Sequence, residues 1–363
     1  MEIQKLKDIC LTEITDGTHQ TPTYSEYGYI FLSSKNVTTQ KIDWDNVMFI
    51  PEKLHEELYK RVAPQIDDIL LAKNGTTGVA AIVDRDIVFD IYVSLALIRP
   101  NTEIVMPRYL LYAINNPVVK GYFDSSLKGI GVPNLHLKNI RETPIKIYDL
   151  ETQKAIVEKI DKVCELISLR KQQLAKLDEL VKARFVEMFG DPIGNTKNLP
   201  VTKFVDVVKM QRGFDLPVQE RKSDGMIPVY GSNGVLGYHD ISKVKGGGVI
   251  TGRSGTIGKV FYEKGKFWPL NTTLFSLNSH GNDVVYLKYL LELFDLSRFT
   301  EGTGVPTLNR NKFHDELIID VPLDEQERFA AFVERVDQQK QTVQQSLEKL
   351  ELMKKALMQE YFG

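Results

Sequence analysis

Two stretches of the chain, residues 150–190 and 323–363, repeat apolar residues in alternating steps of four and three. Neither stretch contains proline, and both are rich in Glu, Lys, Gln, Leu and Ala. A 4-3 step held for about four heptads is typical of a coiled-coil seam, since a helix packed only on its own domain is usually shorter. We therefore predict two long helices. Their seam residues are Ile156, Ile160, Val163, Ile167, Leu174, Leu177 and Val181 in the first, and Phe329, Val333, Val336, Val343, Leu347, Leu350 and Leu357 in the second.

Basic residues interrupt both seams, at Arg170 and Arg184 in the first and at Lys340 and Lys354 in the second. At a shift of 173 residues, each of them corresponds to an apolar residue of the other stretch. Two copies of one helix would bring identical charges to the seam, whereas these two helices are complementary. This favours pairing within one chain; the alignment does not fix the direction, and we predict an antiparallel coiled-coil spacer.

The segments that precede the two helices also resemble each other. The sequence "GVPNLHLKNI" at residues 131–140 returns as "GVPTLNRNKF" at 304–313, and both helices end in Phe-Gly. Upstream, "ILLAKNGTTGVAAIV" matches "VITGRSGTIGKVFY", and each reads as a strand, a Gly/Thr loop and a second strand. The spacing of 173 residues far exceeds the roughly 20–50 residues of stacked repeats.

We therefore predict an α+β fold with an internal pseudo-twofold repeat. Two similar α/β domains, at 1–149 and 191–322, are each followed by a long helix, at 150–190 and 323–363. A chain of 363 residues is long enough for two such domains to bury their own cores. A ligand that suits two similar units held apart by a spacer is itself bipartite, and DNA with two half-sites is the commonest example.

Composition limits the class of protein. The chain is 42% hydrophobic and 26% charged, which is typical of a soluble globular protein. Its formal net charge of −2 counts only weakly against DNA, because binding needs a local basic surface. Cys10 and Cys164 are lone cysteines, and the sequence shows neither a signal peptide nor an apolar run long enough to span a membrane. We expect a cytoplasmic protein that does not engage membranes.

The order of several short motifs resembles the specificity subunit of type I restriction–modification systems. The motifs are "DGTHQTP" (16–22), "FLSSKNV" (31–37), "ILLAKNGTTG" (69–78), "GRSGTIGKV" (252–260), the two GVP stretches and the two helix starts that contain "ETQ" and "DEQ". The resemblance covers essentially the whole chain. It implies that each domain is a target recognition domain for one half of a split, asymmetric DNA site, and that the helices set the unread gap.

The resemblance also implies the partners and cofactors. Two methyltransferase subunits and an ATP-driven motor-nuclease subunit would join this chain on double-stranded DNA. S-adenosylmethionine, ATP and Mg would be bound only by those partners, and this chain would carry no catalytic residues.

The sequence agrees with a non-catalytic chain. The segments "NNPVV" and "GDPIG" lack the second proline and the aromatic residue of an amino-methyltransferase loop. In "GRSGTIGKV", Arg253 replaces the first glycine of a phosphate-binding loop and Val260 follows Lys259, where Ser or Thr is required. The six histidines show no metal-ligand spacing.

Candidate DNA contacts are polar residues in equivalent loops of the two units, because Arg, Lys, Asn and Gln are the side chains that read base edges. In the first unit they are Thr18, His19, Gln20, Ser34, Lys35, Asn36, Lys73, Asn74, Thr76, Asn134, His136 and Lys138. In the second unit they are Gln211, Arg212, Tyr230, Ser232, Asn233, Arg253, Ser254, Thr256, Thr307, Asn309, Arg310 and Lys312. We interpret the shared GVP residues as a structural turn or a backbone clamp.

Two alternatives stay open at this point. The specificity chain of a fused methylase–nuclease enzyme would have the same two-domain layout. A non-DNA scaffold, with a coiled coil holding two protein-binding modules, would instead predict exposed apolar patches and no salt-sensitive DNA binding.

Inserting about four residues, one helical turn, into one helix should lengthen the unread gap and leave both half-sites unchanged.

Overall fold

Short strands and helices alternate before the first long helix. The computed structural model describes residues 1–127, 134–222, 224–302 and 306–363. The strands of this part are β1 (Glu2–Lys5), β2 (Thr15–Asp16), β3 (Tyr29–Leu32), β4 (Met48–Ile50), β5 (Ile69–Ala72), β6 (Ala80–Ile82), β7 (Phe89–Ile91), β8 (Leu95–Ile98) and β9 (Pro144–Ile147). The helices are α1 (Glu52–Tyr59), α2 (Pro107–Ile114), α3 (Pro117–Ser126), α4 (Leu137–Arg141) and the long α5 (Leu150–Phe189).

The second half of the chain follows a similar order, but among its described residues no helix corresponds to α1, and two short strands are added between residues 300 and 308. Its strands are β10 (Val201–Lys203), β11 (Lys209–Arg212), β12 (Ile227–Gly231), β13 (Gly234–His239), β14 (Gly248–Gly252), β15 (Val260–Glu263), β16 (Trp268–Pro269), β17 (Thr273–Asn278), β18 (Thr300–Glu301), β19 (Thr307–Leu308) and β20 (Leu317–Ile319). Its helices are α6 (Phe204–Val207), α7 (Val284–Leu293) and the long α8 (Leu323–Phe362).

The sheets of the two halves have the same topology. A four-stranded antiparallel sheet runs β2-β8-β5-β6 in the first half and β11-β17-β14-β15 in the second. A three-stranded sheet with one parallel pair runs β4-β3-β7 and β13-β12-β16. Each copy also contains an antiparallel pair, β1-β9 or β10-β20, and the second copy adds the antiparallel pair β18-β19. The duplication read from the sequence is therefore a duplication of the fold.

The continuous apolar sequence of β5 reflects burial on both faces of the sheet. Ile69 and Leu71 point into a core shared with α2, whereas Leu70 and Ala72 point into a second core with Leu32 and neighbouring residues. Successive side chains of a strand point to opposite faces, so a strand between two cores must be apolar at every position. The four-stranded sheet therefore has a covered face on each side.

Two compact units emerge from these contacts. The first contains Met1–Leu169 together with Leu347–Gly363, and the second contains Arg170–Ser346. The predicted boundaries divide the chain by sequence repeat, whereas the units divide it by contact, so residues of both long helices belong to each unit. The GVP stretches, interpreted as a structural turn or a backbone clamp, lie outside the described residues apart from Pro306.

The long helices pair antiparallel within each unit. In the second unit the rings of Phe185 and Phe329 lie 5.3 Å apart, and further along the pair Arg170 Nε donates to Ser346 Oγ at 3.3 Å. Residue numbers thus rise along α5 as they fall along α8. In the first unit Lys159 Nζ donates to the hydroxyl of Tyr361 at 3.1 Å. Every predicted seam residue is buried or half-buried.

Two of the basic interruptions of the seam, Lys340 and Arg184, have carboxylate partners. Lys340 Nζ lies 2.6 Å from the Asp178 carboxylate, and Arg184 pairs with Glu187 at 2.8 Å while its guanidinium covers the ring of Phe332. Burial of Lys340 opposes its charge, but the hydrogen bond and the charge of Asp178 outweigh burial and raise its pKa. A carboxylate therefore compensates each of these two charges, from the partner helix for Lys340 and from the same helix for Arg184.

A buried glutamine joins each long helix to its domain. Gln153 Oε1 accepts from the backbone N–H of Met106 at 2.8 Å, and Nε2 donates to the carbonyls of Ile104 and Tyr148 at 2.9 and 2.8 Å. Gln326, its equivalent, accepts from Asp283 N–H at 2.9 Å and donates to Asn282 Oδ1 and the Val321 carbonyl at 2.6 and 2.7 Å. These bonds give the "ETQ" and "DEQ" motifs a structural role.

Candidate nucleic-acid interface

Four polar segments of the first unit meet around the connection between β7 and β8. The backbone N–H of Thr18 donates to the Ile91 carbonyl at 3.1 Å, and Ser34 N–H donates to Ser94 Oγ at 3.0 Å. Lys73 N–H donates to the Ser94 carbonyl at 2.8 Å, and its own carbonyl accepts from Leu135 N–H at 2.9 Å. Hydrogen bonds from backbone N–H groups, one of them to the Ser94 hydroxyl, therefore hold together residues 18–20, 34–36, 73–76 and 134–135.

The equivalent segments of the second unit meet in the same way. Phe214 N–H donates to the Pro269 carbonyl at 2.8 Å, and the Tyr230 carbonyl accepts from Leu270 N–H at 2.9 Å. Arg253 N–H donates to the Thr272 carbonyl at 2.8 Å, and Leu308 N–H donates back to the Arg253 carbonyl at 2.7 Å. One backbone framework thus presents different side chains in the two units.

A glycine makes this framework possible in each unit. A Cβ at Gly17 would lie 1.9 Å from the Ile91 carbonyl oxygen, and one at Gly213 would lie 2.2 Å from the Leu270 carbonyl oxygen. No side chain fits at such distances, so both positions require glycine for a close approach of two backbones. The polar residues beside each glycine are thereby fixed in place.

A buried carboxylate organises the first unit's loops. Asp16 forms an ion pair with the buried Lys73, its Oδ1 lies 3.3 Å from His19 Nε2, and it lies 3.4 Å from Arg61. Burial alone would raise the pKa of Asp16, but the hydrogen bond and charge of Lys73, with help from His19, outweigh burial and lower it. The charge of the buried Lys73 is therefore neutralised by Asp16 within the protein.

The second unit places cations at the same two positions. Arg212 and Arg253 occupy the positions of Asp16 and Lys73, and with Arg310, Glu301 and Asn309 they line a cavity of about 350 Å³. We call this cavity the guanidinium pocket. The side chains of Arg253 and Arg310 form no hydrogen bond or ion pair with any residue of the described ranges, and both residues line the cavity.

The structure separates the predicted contact residues by exposure. Thr18, Asn36, Lys73 and Tyr230 are buried. The exposed residues are His19, Gln20, Lys35, Thr76, His136, Lys138, Arg212, Asn233 and Lys312. The half-buried residues are Ser34, Asn74, Asn134, Gln211, Ser232, Arg253, Ser254, Thr256, Thr307, Asn309 and Arg310.

Two of the buried residues support the loops from within. The Asn36 amide nitrogen donates to the Asp43 and Asn46 carbonyls, and its Oδ1 accepts from Ser33 N–H at 3.0 Å. Tyr230 packs against Phe267, and its hydroxyl donates to Glu263 at 3.2 Å. Since their polar groups are already bonded within the protein, we assign both residues a structural role.

Lys138 is the predicted residue that stands apart from the others. It lines a depression with Lys7, Arg141 and Glu142 beside the first strand. Three residues that sequence reasoning missed belong to the loop clusters, namely Asp16, Arg61 and Glu301. Asp16 precedes Gly17 in the quoted "DGTH" motif, but nothing in the sequence indicates its pairing with Lys73, 57 positions away.

Comparison with known proteins gives these two units a family. Residues 1–179 and 197–352 each match the type I restriction modification DNA specificity domain. The chain belongs to this family. The two matches follow the duplication seen in the fold, so each specificity domain supplies one set of converging loops.

Individual relatives are distant and cover the chain only in part. The EcoBI type I restriction enzyme specificity subunit of Escherichia coli is 25% identical over 158 residues, which are 42% of this chain and 33% of that protein. The MjaVIII type I restriction enzyme specificity subunit of Methanocaldococcus jannaschii is 24% identical over 187 residues, 50% of this chain and 43% of that protein. The chain thus spans less than half the length of these relatives.

Solved structures share the fold over the whole chain. The type I restriction–modification S subunit of M. genitalium superposes with a TM-score of 0.62 at 13% identity, covering 100% of this chain and 96% of that one. A chain from a structural study of assembly and conformational transition of the type I system gives 0.61 at 17% identity, covering 99% and 97%.

The described residues show neither a membrane helix nor a metal cluster. Within 1–127, 134–222, 224–302 and 306–363, no helix combines the length and apolar character that a bilayer crossing demands. In the same ranges, no group of three or more His, Cys, Asp and Glu residues is arranged to hold a metal ion.

Proposed function

We propose that this chain is the DNA sequence-specificity subunit of a type I restriction–modification complex. Each unit reads one half of a bipartite site on double-stranded DNA. The observation that carries the proposal is one backbone framework, present twice, that presents different polar side chains in equivalent loops. Because the side chains differ between the units, the two half-sites differ as well, and the site is asymmetric.

The chain acts as a non-catalytic subunit in this proposal. Two methyltransferase subunits dock on it, with the long helices contributing to the docking surface and setting the gap between half-sites. Motor-nuclease subunits join the full complex and cleave DNA. S-adenosylmethionine, ATP and Mg²⁺ bind to these partners in the cytoplasm, and this chain holds none of them.

The test is to co-express the chain with the methyltransferase encoded beside it and to map methylated bases in the host DNA. A split motif with two unlike halves and a constant gap is the expected result. A palindromic motif would contradict the assignment of a different half-site to each unit. Failure of the two proteins to associate would instead favour the scaffold alternative.

The same experiment separates the two kinds of restriction system. In a type I system the methyltransferase and the motor-nuclease are separate chains. A partner in which methylase and nuclease are fused would assign this chain to the other class, while leaving its DNA-reading role intact.

A further inference from the structure

The guanidinium pocket carries an inference that deepens the proposed function and rests on it. Three arginines line this cavity of the second unit together with Glu301 and Asn309, namely Arg212, Arg253 and Arg310. In the first unit, the equivalent of the first two arginines is the Asp16–Lys73 ion pair, which satisfies its own charges. At these positions, among the described residues, the second unit presents guanidinium groups without a carboxylate partner, although Arg212 Nε donates to the Asn271 carbonyl at 3.3 Å.

Rigid backbone bonds set the position of Arg253. Its N–H and carbonyl are both bonded, to Thr272 and Leu308, at 2.8 and 2.7 Å. Arg310 stands at the first position of a short 3-10 turn, Arg310–Lys312, that Asn309 caps by accepting from Asn311 N–H at 3.1 Å. Two planar donor forks are thus presented from fixed backbone, as bidentate recognition requires.

A carboxylate in the same pocket decides what those forks recognise. Glu301 accepts from Asn309 Nδ2 at 3.4 Å and pairs with Lys312 at 3.2 Å. The neighbouring Lys312 and Asn309 lower the pKa of Glu301, so it is ionised at neutral pH. A carboxylate repels a phosphate but accepts from the exocyclic amine of cytosine, while arginine donates to O6 and N7 of guanine.

We propose that the guanidinium pocket reads a G·C base pair in the second unit's half-site. Arg253 and Arg310 provide the guanidinium that donates to guanine, and Glu301 accepts from the paired cytosine. The pocket thereby distinguishes G·C from the other base pairs, rather than serving as a phosphate contact.

The experiment uses the complete complex with its methyltransferase and maps methylation motifs for the wild type, Glu301→Gln and Arg253→Lys. Arg253→Lys keeps the charge but removes the fork, and Arg310→Lys does the same at the second position. Matched controls are Glu220→Gln and Arg298→Lys, which make the same changes at exposed positions of the second unit outside the guanidinium pocket and the long helices. Gln20→Ala and Lys35→Ala in the first unit identify the other half of the motif.

The expected wild-type motif contains G·C in the half that the first-unit variants leave unchanged. At that position the pocket variants should lose about 5- to 150-fold of their discrimination against other base pairs, with the remaining positions unaffected. The control variants should reproduce the wild-type motif.

Three results would overturn the inference while leaving the proposed function standing. One is a second half-site without any G·C pair, and another is an unchanged motif in all pocket variants. The third is uniform weakening across all sequences with a shallower salt dependence of binding, which indicates a phosphate contact. A wild-type complex that yields no split motif would instead refute the proposed function itself.

Discussion

At the scale of single residues, two equivalent glutamines hydrogen-bond each long helix to its domain in the two copies of the fold. Gln153 and Gln326 each make three hydrogen bonds with their domain while almost fully buried, at 0% and 1% exposure. Both atoms of each side-chain amide are needed, because the oxygen accepts from a backbone N–H and the nitrogen donates to two oxygens. The helices are thereby anchored at their first turn.

Replacing Gln153 with alanine should destabilise the first unit. The Met106 N–H and the Ile104 and Tyr148 carbonyls would lose their partner in a buried place, at a cost of about 3 kcal/mol. Urea unfolding of the variant measures the change in the free energy of unfolding. Gln172→Ala, at an exposed position of the same helix, is the control and should change stability by less than about 0.5 kcal/mol.

His314 makes the second unit sensitive to mild acid. Its Nε2 accepts from the Met210 N–H at 3.2 Å, which requires the neutral ring. Burial, followed by the charges of Arg310 and Lys209, lowers its pKa below the usual 6.5. A lowered histidine pKa means that the unfolded chain binds the proton more readily. The resulting stability is complete above about pH 6.5 and is lost as the pH falls through the folded pKa.

We therefore expect the melting temperature of the second unit to fall as the pH is lowered from 7 to 5. In His314→Gln, whose side chain can still accept from Met210 N–H but does not titrate, that part of the pH dependence should vanish. Thermal unfolding at several pH values checks this. An identical pH profile for the wild type and the variant would contradict the role assigned to His314.

The limits of sequence reasoning are visible at this scale too. Asn36 and Gln20 are both amide residues in polar loops, yet Asn36 is buried and Gln20 is exposed. Local sequence does not report which side of a loop faces the core. The Asp16–Lys73 pair depends on how two distant strands align, and such non-local contacts leave no periodic signal in the chain.

At the scale of elements, hydrophobic periodicity predicted the long helices closely, because each is held by a seam that repeats in sequence. The predicted stretches 150–190 and 323–363 correspond to Leu150–Phe189 and Leu323–Phe362. Gly190, with φ of 76°, ends the first helix in a left-handed conformation that glycine adopts readily. The structure shows the predicted antiparallel pairing, although a 4-3 seam by itself is compatible with either direction.

The antiparallel register makes a testable prediction through Asp178 and Lys340. In Asp178→Lys, two lysines would face each other across the seam, which should lower the free energy of unfolding by about 1 kcal/mol. Adding Lys340→Glu restores an opposite pair and should recover most of that loss. A double-mutant cycle measured by urea unfolding gives the coupling energy. Independent, additive effects of the two substitutions would contradict the pairing.

At the scale of the whole molecule, the duplicated fold was predictable because both copies share motif order and spacing. The two copies differ in the charge at equivalent loop positions. This difference is visible in the sequence, but its structural consequence is not. Arg212 and Asp16 occupy equivalent positions. Only the fold shows that Arg212 lines a cavity, whereas Asp16 forms an ion pair with Lys73.

A matched insertion in both helices tests the proposed spacer. Seven residues placed after Leu169 and seven after Ser346 keep the 4-3 seam in register on both sides and add about 10 Å of helix. The unread gap should grow by about three base pairs, with both half-sites unchanged, as methylation mapping would show. A changed half-site would contradict the division between reading loops and spacing helices.

Four residues inserted in α5 alone form the informative comparison. Because α8 runs antiparallel beside it, a single insertion shifts the apolar seam of one helix against the other. We expect reduced stability of this variant, in addition to any change in the gap, when its thermal unfolding is compared with that of the matched double insertion.

The division of the two units also orders their formation during synthesis. Residues 347–363, with the buried Met358 and Phe362, complete the core of the first unit, whereas the second unit is one continuous segment, Arg170–Ser346. On the ribosome, the first unit's sheets emerge early but wait for residues made after the entire second unit. A nascent chain released at residue 346 would contain every residue of the second unit, whereas the core of its first unit would still be open to solvent and to chaperones.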